Sequence, residues 1–292
     1  MANLREIRDR ISSVKSTQQI TKAMKMVAAA RLRKAQENVL ATRPYVAGLQ
    51  AVIEKLSSST ESQNVFMKEV ENPQNVLLIV IGSDRGLCGG FNSNLFRFVT
   101  DSLKERFPGF KENGKLSVIT IGRKAGDFFG KRDFKVVMKN NGFFDNLRFD
   151  RSAEISAEVA AAFKSGEYDS VYIAFNEFKS VIAQNRIFTK LLPVSVDKTE
   201  EDSFDNIDYI FEPNPAQILD NIIPLHINMQ LWRALLESNA SEQGARMAAM
   251  DNATENAKEI IGHLNLSYNK ARQAAITTEL SEIVSGAEAL NG

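Results

Sequence analysis

The sequence predicts an α/β protein: a long antiparallel two-helix coiled coil made from the two ends of the chain, with a βαβ-type domain inserted between its arms. Three observations carry this. All seven prolines lie between residues 44 and 224, so both ends are free of them. Both ends also show the 3–4 apolar spacing of a coiled-coil seam. The region between holds short uninterrupted apolar runs, as strands buried on both faces do. The expected organisation is an N-terminal coiled-coil helix over 1–60, an α/β domain over 75–200 and a C-terminal coiled-coil helix over 213–292.

The first helix is expected over about 3–57, with Leu4, Ile7, Ile11, Val14, Gln18, Thr21, Lys25, Ala28, Leu32, Ala35 and Val39 on one seam. At 1.5 Å per residue it would be roughly 80 Å long. Its polar middle is unusual for a pure dimerisation zipper. Strands follow at "VLLIVI" (76–81), "LSVITI" (116–121), "FKVVM" (134–138) and "SVYIAF" (170–175), separated by helices over 92–107, about 122–131 and 152–165. In the last of these helices Ile155, Val159, Ala162 and Phe163 share a face. "IFTKLLPVSV" (187–196) reads as one more strand, placed near an edge by Pro193. An acidic loop over 200–212 leads to the second helix, about 216–288. Its seam is Leu225, Met229, Trp232, Leu236, Asn239, Gln243, Arg246, Met250, Ala253, Ala257, Ile260 and Leu264. Pro44 and Pro224 should each kink or break their helix. Gly244 and Gly262 should weaken the second by up to about 1 kcal/mol each.

Composition excludes several classes of function. No apolar run reaches the length of a membrane span, so direct membrane insertion is not expected. The N-terminus lacks the apolar core of a secretory signal, and its early acids argue against an organellar transit peptide. A single cysteine, Cys88, excludes an internal disulfide and suits a reducing compartment. The two histidines, His226 and His263, lie far apart without cysteine partners, so no metal site is expected. Net charge is zero but uneven. Residues 1–45 carry ten Lys/Arg against three Asp/Glu, whereas residues 217–292 carry five against nine. That pattern points to a sided surface and not to a nucleic-acid binder.

Two surfaces stand out. Counting back from the insert, the first helix reaches only about residue 270 of the second, which leaves the C-terminal tip without an intramolecular partner. Yet Ile276, Leu280, Ile283, Val284 and Ala287 form an apolar face there, a surface that calls for another protein to enclose it. On the first helix, Ile20, Met24, Val27, Arg31 and Lys34 form a second stripe away from the seam. It is either a set of incidental outward residues or a contact surface for an acidic partner.

The stretch "IGSDRGLCGGFN" (81–92) joins the first strand to the next helix, where many α/β proteins cradle phosphate. Gly82, Gly86, Gly89 and Gly90 match neither the Walker A pattern, which needs a following Lys-Ser/Thr, nor the dinucleotide fingerprint. After the second strand stands Arg123 where an acid would hold a ribose, which leaves an NADP site open as an alternative. Cys88 has no histidine near in sequence to activate it and reads as a packed residue more than a nucleophile.

"REIRDRISSVKSTQQITKAMKMVAAARLRKAQ", "SDRGLCGGFN" and "RALLESNASEQGARMAAMDNATENAKEII", continued by "LSYNKARQAAITTELSEIVSGAEAL", together resemble the γ subunit of F-type ATP synthase along nearly the whole chain. The resemblance implies a central rotor shaft that is not itself catalytic and holds no cofactor. Its terminal helices would stand inside a ring of α and β subunits, with the tip in an apolar sleeve. Its Rossmann-like middle domain would meet the ε subunit and the membrane ring of c subunits. Proton flow would turn ring and shaft, and the asymmetric shaft would drive each β site through its states to release ATP. The glycine loop would be a contact loop.

Carried over by position, the resemblance implies rotor–stator contacts at Lys22, Met24, Lys25, Arg31, Arg33 and Lys34 on the first helix, and at Cys88 in the loop. On the second helix it implies Arg246, then Arg272, Gln273, Thr277 and Glu279 higher up. Phe91 departs from the leucine usual in the family. Asp251 stands where a lysine is common, which puts any ion pair inferred there in doubt. The cysteine-containing insertion of chloroplast γ subunits is absent; with no transit peptide, the expectation is a bacterial protein, peripheral on the cytoplasmic face of the inner membrane. Two other readings stay open: an NADP-linked enzyme built on the middle domain, and a coiled-coil scaffold or nucleic-acid adaptor using the basic first helix.

Overall fold

A computed structural model describes residues 4–58, 64–195, 212 and 214–291. The acidic stretch expected as a loop lies almost wholly outside the described residues. The chain divides into an α/β unit, Ala30–Ala245, and a helical-pair unit, Met1–Ala29 with Arg246–Gly292. Helices α1 (Leu4–Ser58) and α5 (Pro215–Asn291) contribute to both.

In the α/β unit the order is β1 (Val76–Ile81), α2 (Phe91–Arg106), β2 (Leu116–Ile121), α3 (Arg123–Gly130), β3 (Lys135–Asn140), α4 (Phe149–Lys164), β4 (Ser170–Phe178) and β5 (Gln184–Leu192). The sheet order is β3-β2-β1-β4-β5. The first four strands are parallel, and β5 runs antiparallel to β4 at the edge. Strand β1 is buried on both faces because its side chains alternate between two cores. Leu77, Ile79 and Ile81 join Ile53 and Leu56 of α1, Ile155 and Val159 of α4, and Ile223, Ile227 and Leu231 of α5. Val76, Leu78 and Val80 face the other way, onto Leu95, Phe96 and Val99 of α2 and Ala125 and Phe129 of α3. Each fully buried aliphatic side chain of this kind contributes about 1.5–3 kcal/mol.

Some expectations change. "FKVVM" is not buried on both faces: β3 is an edge strand, its residues alternate in exposure, and Val137 faces outward. Neither proline breaks its helix, since Pro44 and Pro224 lie inside α1 and α5. A mid-helix proline costs about 3 kcal/mol, which is offset by burying Val46, Ile53 and Leu56 beyond the first, and Ile227 and Leu231 beyond the second. Within this unit α5 is buried almost all round from His226 to Gln243, so no stripe describes it, and Leu225 of the expected seam is exposed.

In the helical pair, every residue of α1 from Leu4 to Thr21 that is not fully exposed is one of the expected seam residues. On α5 the expected Met250, Ala253, Ala257 and Leu264 are partly or fully buried, as are Asp251, Thr254, Ile261, Tyr268 and Ala271, but Ile260 faces outward and Ile261 is covered in its place. Two polar contacts lie on the seam. Thr21 and Thr254 hydroxyls are 2.8 Å apart, and Lys25 Nζ lies 2.5 Å from Asp251 Oδ1. From Arg272 to Ala287 every residue of α5 is exposed.

Candidate interaction sites on the helical pair and the glycine loop

At the carboxyl end of β1 the chain turns sharply, and the close approach of two glycines sets the turn. Gly122, at the end of β2, has φ +92°, and a Cβ there would lie 2.5 Å from the carbonyl oxygen of Gly82. With no side chain between them, the ends of β1 and β2 are joined by Gly82 N–H to Ile121 O (2.9 Å) and Lys124 N–H to Ser83 O (2.9 Å).

The buried Asp84 carboxylate then occupies the amino end of α3, where the NADP alternative would place its 2′-phosphate. Its Oδ1 accepts from the backbone N–H of Arg123 (3.0 Å), the first residue of α3, and of Gly142 (2.6 Å). Its Oδ2 accepts from Phe144 N–H (2.8 Å). Backbone donors at a helix N-terminus are the usual cradle for an anion, and here the chain supplies its own. The carbonyl of Ile81 accepts from Ser238 of α5 (3.5 Å), and Asn176 of β4 donates to Phe91 O (3.4 Å), so the crevice between β1 and β4 is also filled from within. These contacts disfavour the NADP alternative at Arg123.

The loop's outer face is different. Ser83 N–H donates to Asn92 Oδ1 (3.0 Å), and Asn92 Nδ2 donates to Ser83 Oγ (2.7 Å) and Cys88 Sγ (3.4 Å). Cys88 is 2% exposed with its thiol turned into this network, whereas Leu87, at φ +62°, is 67% exposed. The expected contact role of the Cys88 side chain therefore does not fit its burial. Leu87 and Arg85, the latter 2.7 Å from Asp145, are what the loop presents outward.

The other expected contact residues fall in each unit as follows. In the helical pair Lys22 is exposed, and Met24 and Arg246 are partly buried. Lys25 is held by Asp251, so the departure at 251 creates an ion pair inside the coil. Arg272, Gln273, Thr277 and Glu279 are all exposed on the bare end of α5, where Thr277 Oγ1 donates back to Gln273 O (2.9 Å). In the α/β unit Arg31, Arg33 and Lys34 share one exposed turn of α1, with Arg33 3.5 Å from Glu37.

A cavity of about 350 Å³ lies between β4–β5 and the helices, lined in part by His226, Arg233, Glu177 and Lys190. Its charges are matched within the chain, Arg233 with Glu177 (3.4 Å) and Lys190 with Glu69 (2.8 Å), so it selects neither anion nor cation. Burial pushes the His226 imidazole down to about 4, which keeps it neutral. Among the described residues no three His, Cys, Asp or Glu side chains are grouped to hold a metal, and no helix is long and apolar enough to cross a membrane.

The family model described as ATP synthase matches residues 3–290. The ATP synthase gamma chain of Prosthecochloris aestuarii is 49% identical over 293 residues, covering the whole of both chains. That of Geobacter sp. strain M21 is also 49% identical with full coverage of both. The chain belongs to the ATP synthase gamma-chain family. Among solved structures it is similar to a central stalk/c-ring chain of the Tetrahymena thermophila mitochondrial ATP synthase, at 27% identity and a TM-score of 0.60, over 80% of this chain and 99% of that one. A chain from the OSCP/F1/c-ring structure of the Euglena gracilis enzyme, 21% identical, shares the fold at a TM-score of 0.69, over 98% of this chain and 94% of that one.

Residues that sequence reasoning missed are those whose work is internal. Asp84 is one. Arg43 and Glu237 are others: Arg43 Nε lies 2.7 Å from Glu237 Oε1, and Glu237 is wholly buried. The hydrogen bond to that carboxylate holds the Arg43 guanidinium above its ordinary range. The only signal in the sequence was an acid in "RALLESNASEQ", a stretch whose neighbours are apolar on both sides.

Proposed function

We propose that the chain is the central shaft of a bacterial F-type ATP synthase, turned by proton flow through a ring of c subunits and acting on catalytic β subunits without catalysing anything itself. It is a peripheral subunit on the cytoplasmic face of the inner membrane, with α, β and ε subunits and the c ring as partners. The observation that carries this reading is the bare end of α5 in a member of the gamma-chain family. There Ile276, Leu280, Ile283 and Val284 stand exposed past the last seam contact. An exposed apolar face of this kind marks a surface that another protein covers. Small and aliphatic side chains there suit turning inside a smooth sleeve without interlocking.

The shaft works by pushing and not by chemistry. Exposed cations such as Lys22, Arg31 and Lys34 meet acidic segments of successive β subunits as the shaft turns. An exposed ion pair is worth about 0–1 kcal/mol, so each contact breaks and re-forms readily. Leu87 and Arg85 give the glycine loop an apolar knob and a charge with which to meet a stator subunit from the side.

The test is reconstitution. The α and β subunits of the same organism are mixed with this chain or with a version lacking residues 273–292. Sustained ATP hydrolysis by a complex containing the full chain supports the reading, and the truncated chain measures the tip's share. Failure of both to associate with α and β overturns it.

A further inference from the structure

In the α/β unit three elements meet at one buried carboxylate. Glu237 of α5 accepts from Arg43 Nε of α1 at Oε1 (2.7 Å) and from the backbone N–H of Phe178, at the end of β4, at Oε2 (3.0 Å). Arg43 Nη2 closes the ring by donating to Phe178 O (3.2 Å). The β4–β5 hairpin is also fixed to α5 on either side of this ring. Arg233 pairs with Glu177 (3.4 Å), and Gln184 Nε2 donates to Ser241 O (3.4 Å). At Gly244 the hairpin comes so near that a Cβ would lie 3.4 Å from the Phe178 ring.

Apolar packing resists separation of layers but is non-directional, and surfaces held by it alone can slide. Charge-assisted hydrogen bonds fix direction, and a bidentate guanidinium adds geometric specificity. A buried pair adds little net stability over apolar residues of similar size, so its use here is positional. We propose that Arg43 and Glu237 form a positioning clamp that holds the β4–β5 hairpin, and with it the sheet, to both helices under torque. The proposal rests on the shaft reading. In it, torque enters through the α/β domain and leaves through the helices, and this ring is where hydrogen bonds join α1, α5 and the sheet.

The experiment uses the complete ATP synthase in inverted membrane vesicles, with the parent chain, R43K, E237Q and the double variant R43M/E237M. Two rates are read: hydrolysis with the gradient dissipated, where the shaft turns unloaded, and ATP synthesis driven by an imposed proton gradient, where it is loaded. The double variant leaves no unpaired buried charge, so it decides the matter if E237Q fails to assemble. Its unloaded hydrolysis should match the parent's while loaded synthesis falls about tenfold, the scale of one lost charge-assisted hydrogen bond. R43K keeps the charge without the fork and should fall in between. Proportional loss of both rates, or loss of neither, overturns the clamp. A parent complex that hydrolyses ATP without coupling it to the gradient overturns the shaft reading instead.

Discussion

Asp84 and Gly142 stand 58 residues apart in sequence, yet the carboxylate of one lies 2.6 Å from the backbone nitrogen of the other. That contact, with those to Arg123 and Phe144, closes the amino end of α3 to an outside anion. Replacing Asp84 with alanine strips three partly buried N–H groups of their acceptor, at up to about 1–3 kcal/mol for each group left unsatisfied. D84A should lower the urea midpoint strongly. The parent chain should show no saturable binding of ATP or NADP by equilibrium dialysis. Stoichiometric NADP binding would contradict the assignment of Asp84 as the occupant of that cradle.

Cys88 offers a second check on the loop. A thiol 2% exposed and held among Ser83, Asn92 and the Arg85 carbonyl should react with an aromatic disulfide reagent far more slowly than free cysteine. It should become fully reactive in denaturant. Rapid labelling of the native chain would mean that the thiol turns outward and that Cys88 touches a partner after all.

The ion pair inside the coil should be weak. Lys25 and Asp251 side chains are 39% and 51% exposed, so solvent screening holds their coupling to about 0–1 kcal/mol. A double-mutant cycle with K25M and D251A, read by thermal unfolding, should return a coupling within that range and smaller in high salt. D251K, which puts the residue common in the family beside Lys25, should cost up to about twice what the pair is worth, since it replaces an attraction with a like-charge repulsion of similar size. A coupling of several kcal/mol would show that the pair is far less hydrated than its exposure indicates.

His226 predicts a pH dependence with a definite sign. Its folded value lies near 4, below the ordinary 6.5, because burial penalises the charged form. The unfolded chain therefore binds the proton first as pH falls. The stability contribution is complete above about 6.5 and is lost between there and about 4, up to about 3 kcal/mol. H226L should flatten that part of the profile in a comparison of urea midpoints between pH 7 and pH 4.5. Parallel profiles for parent and variant would contradict it.

How far the sequence revealed these features depends on what covers each element. Along α1 from Leu4 to Thr21 only one face meets another helix, so the 3–4 spacing named its covered residues without error. On α5 the same method named Ala253, Ala257 and Leu264 correctly but placed Ile260 on the seam, where Ile261 is the covered position. Between His226 and Gln243 the helix is enclosed by α1, α4 and the sheet at once, and periodicity vanishes where no face is left polar. The continuous runs of β1 and β2 announced strands buried on both faces, but "FKVVM" looked the same and proved to be an edge. The exclusion of Walker A and dinucleotide patterns followed from the missing Lys-Ser/Thr and from glycine spacing. The occupant of the cradle did not, because Asp84 meets groups 39 to 60 residues further on. The contact residues inferred by position are solvent-facing at Lys22, Arg31, Lys34 and on the bare end of α5, while Lys25 and Cys88 are engaged within the chain.

The most direct test of the shaft is to watch it turn. The variant K131C carries an added thiol at an exposed position of the α/β unit, with C88S removing the native one. It would be assembled with α and β subunits fixed to a surface and labelled there with a gold particle. With ATP supplied, the account predicts rotation in one direction, pausing at each third of a turn. ATP hydrolysis by the same immobilised complexes with the particle stationary would contradict it.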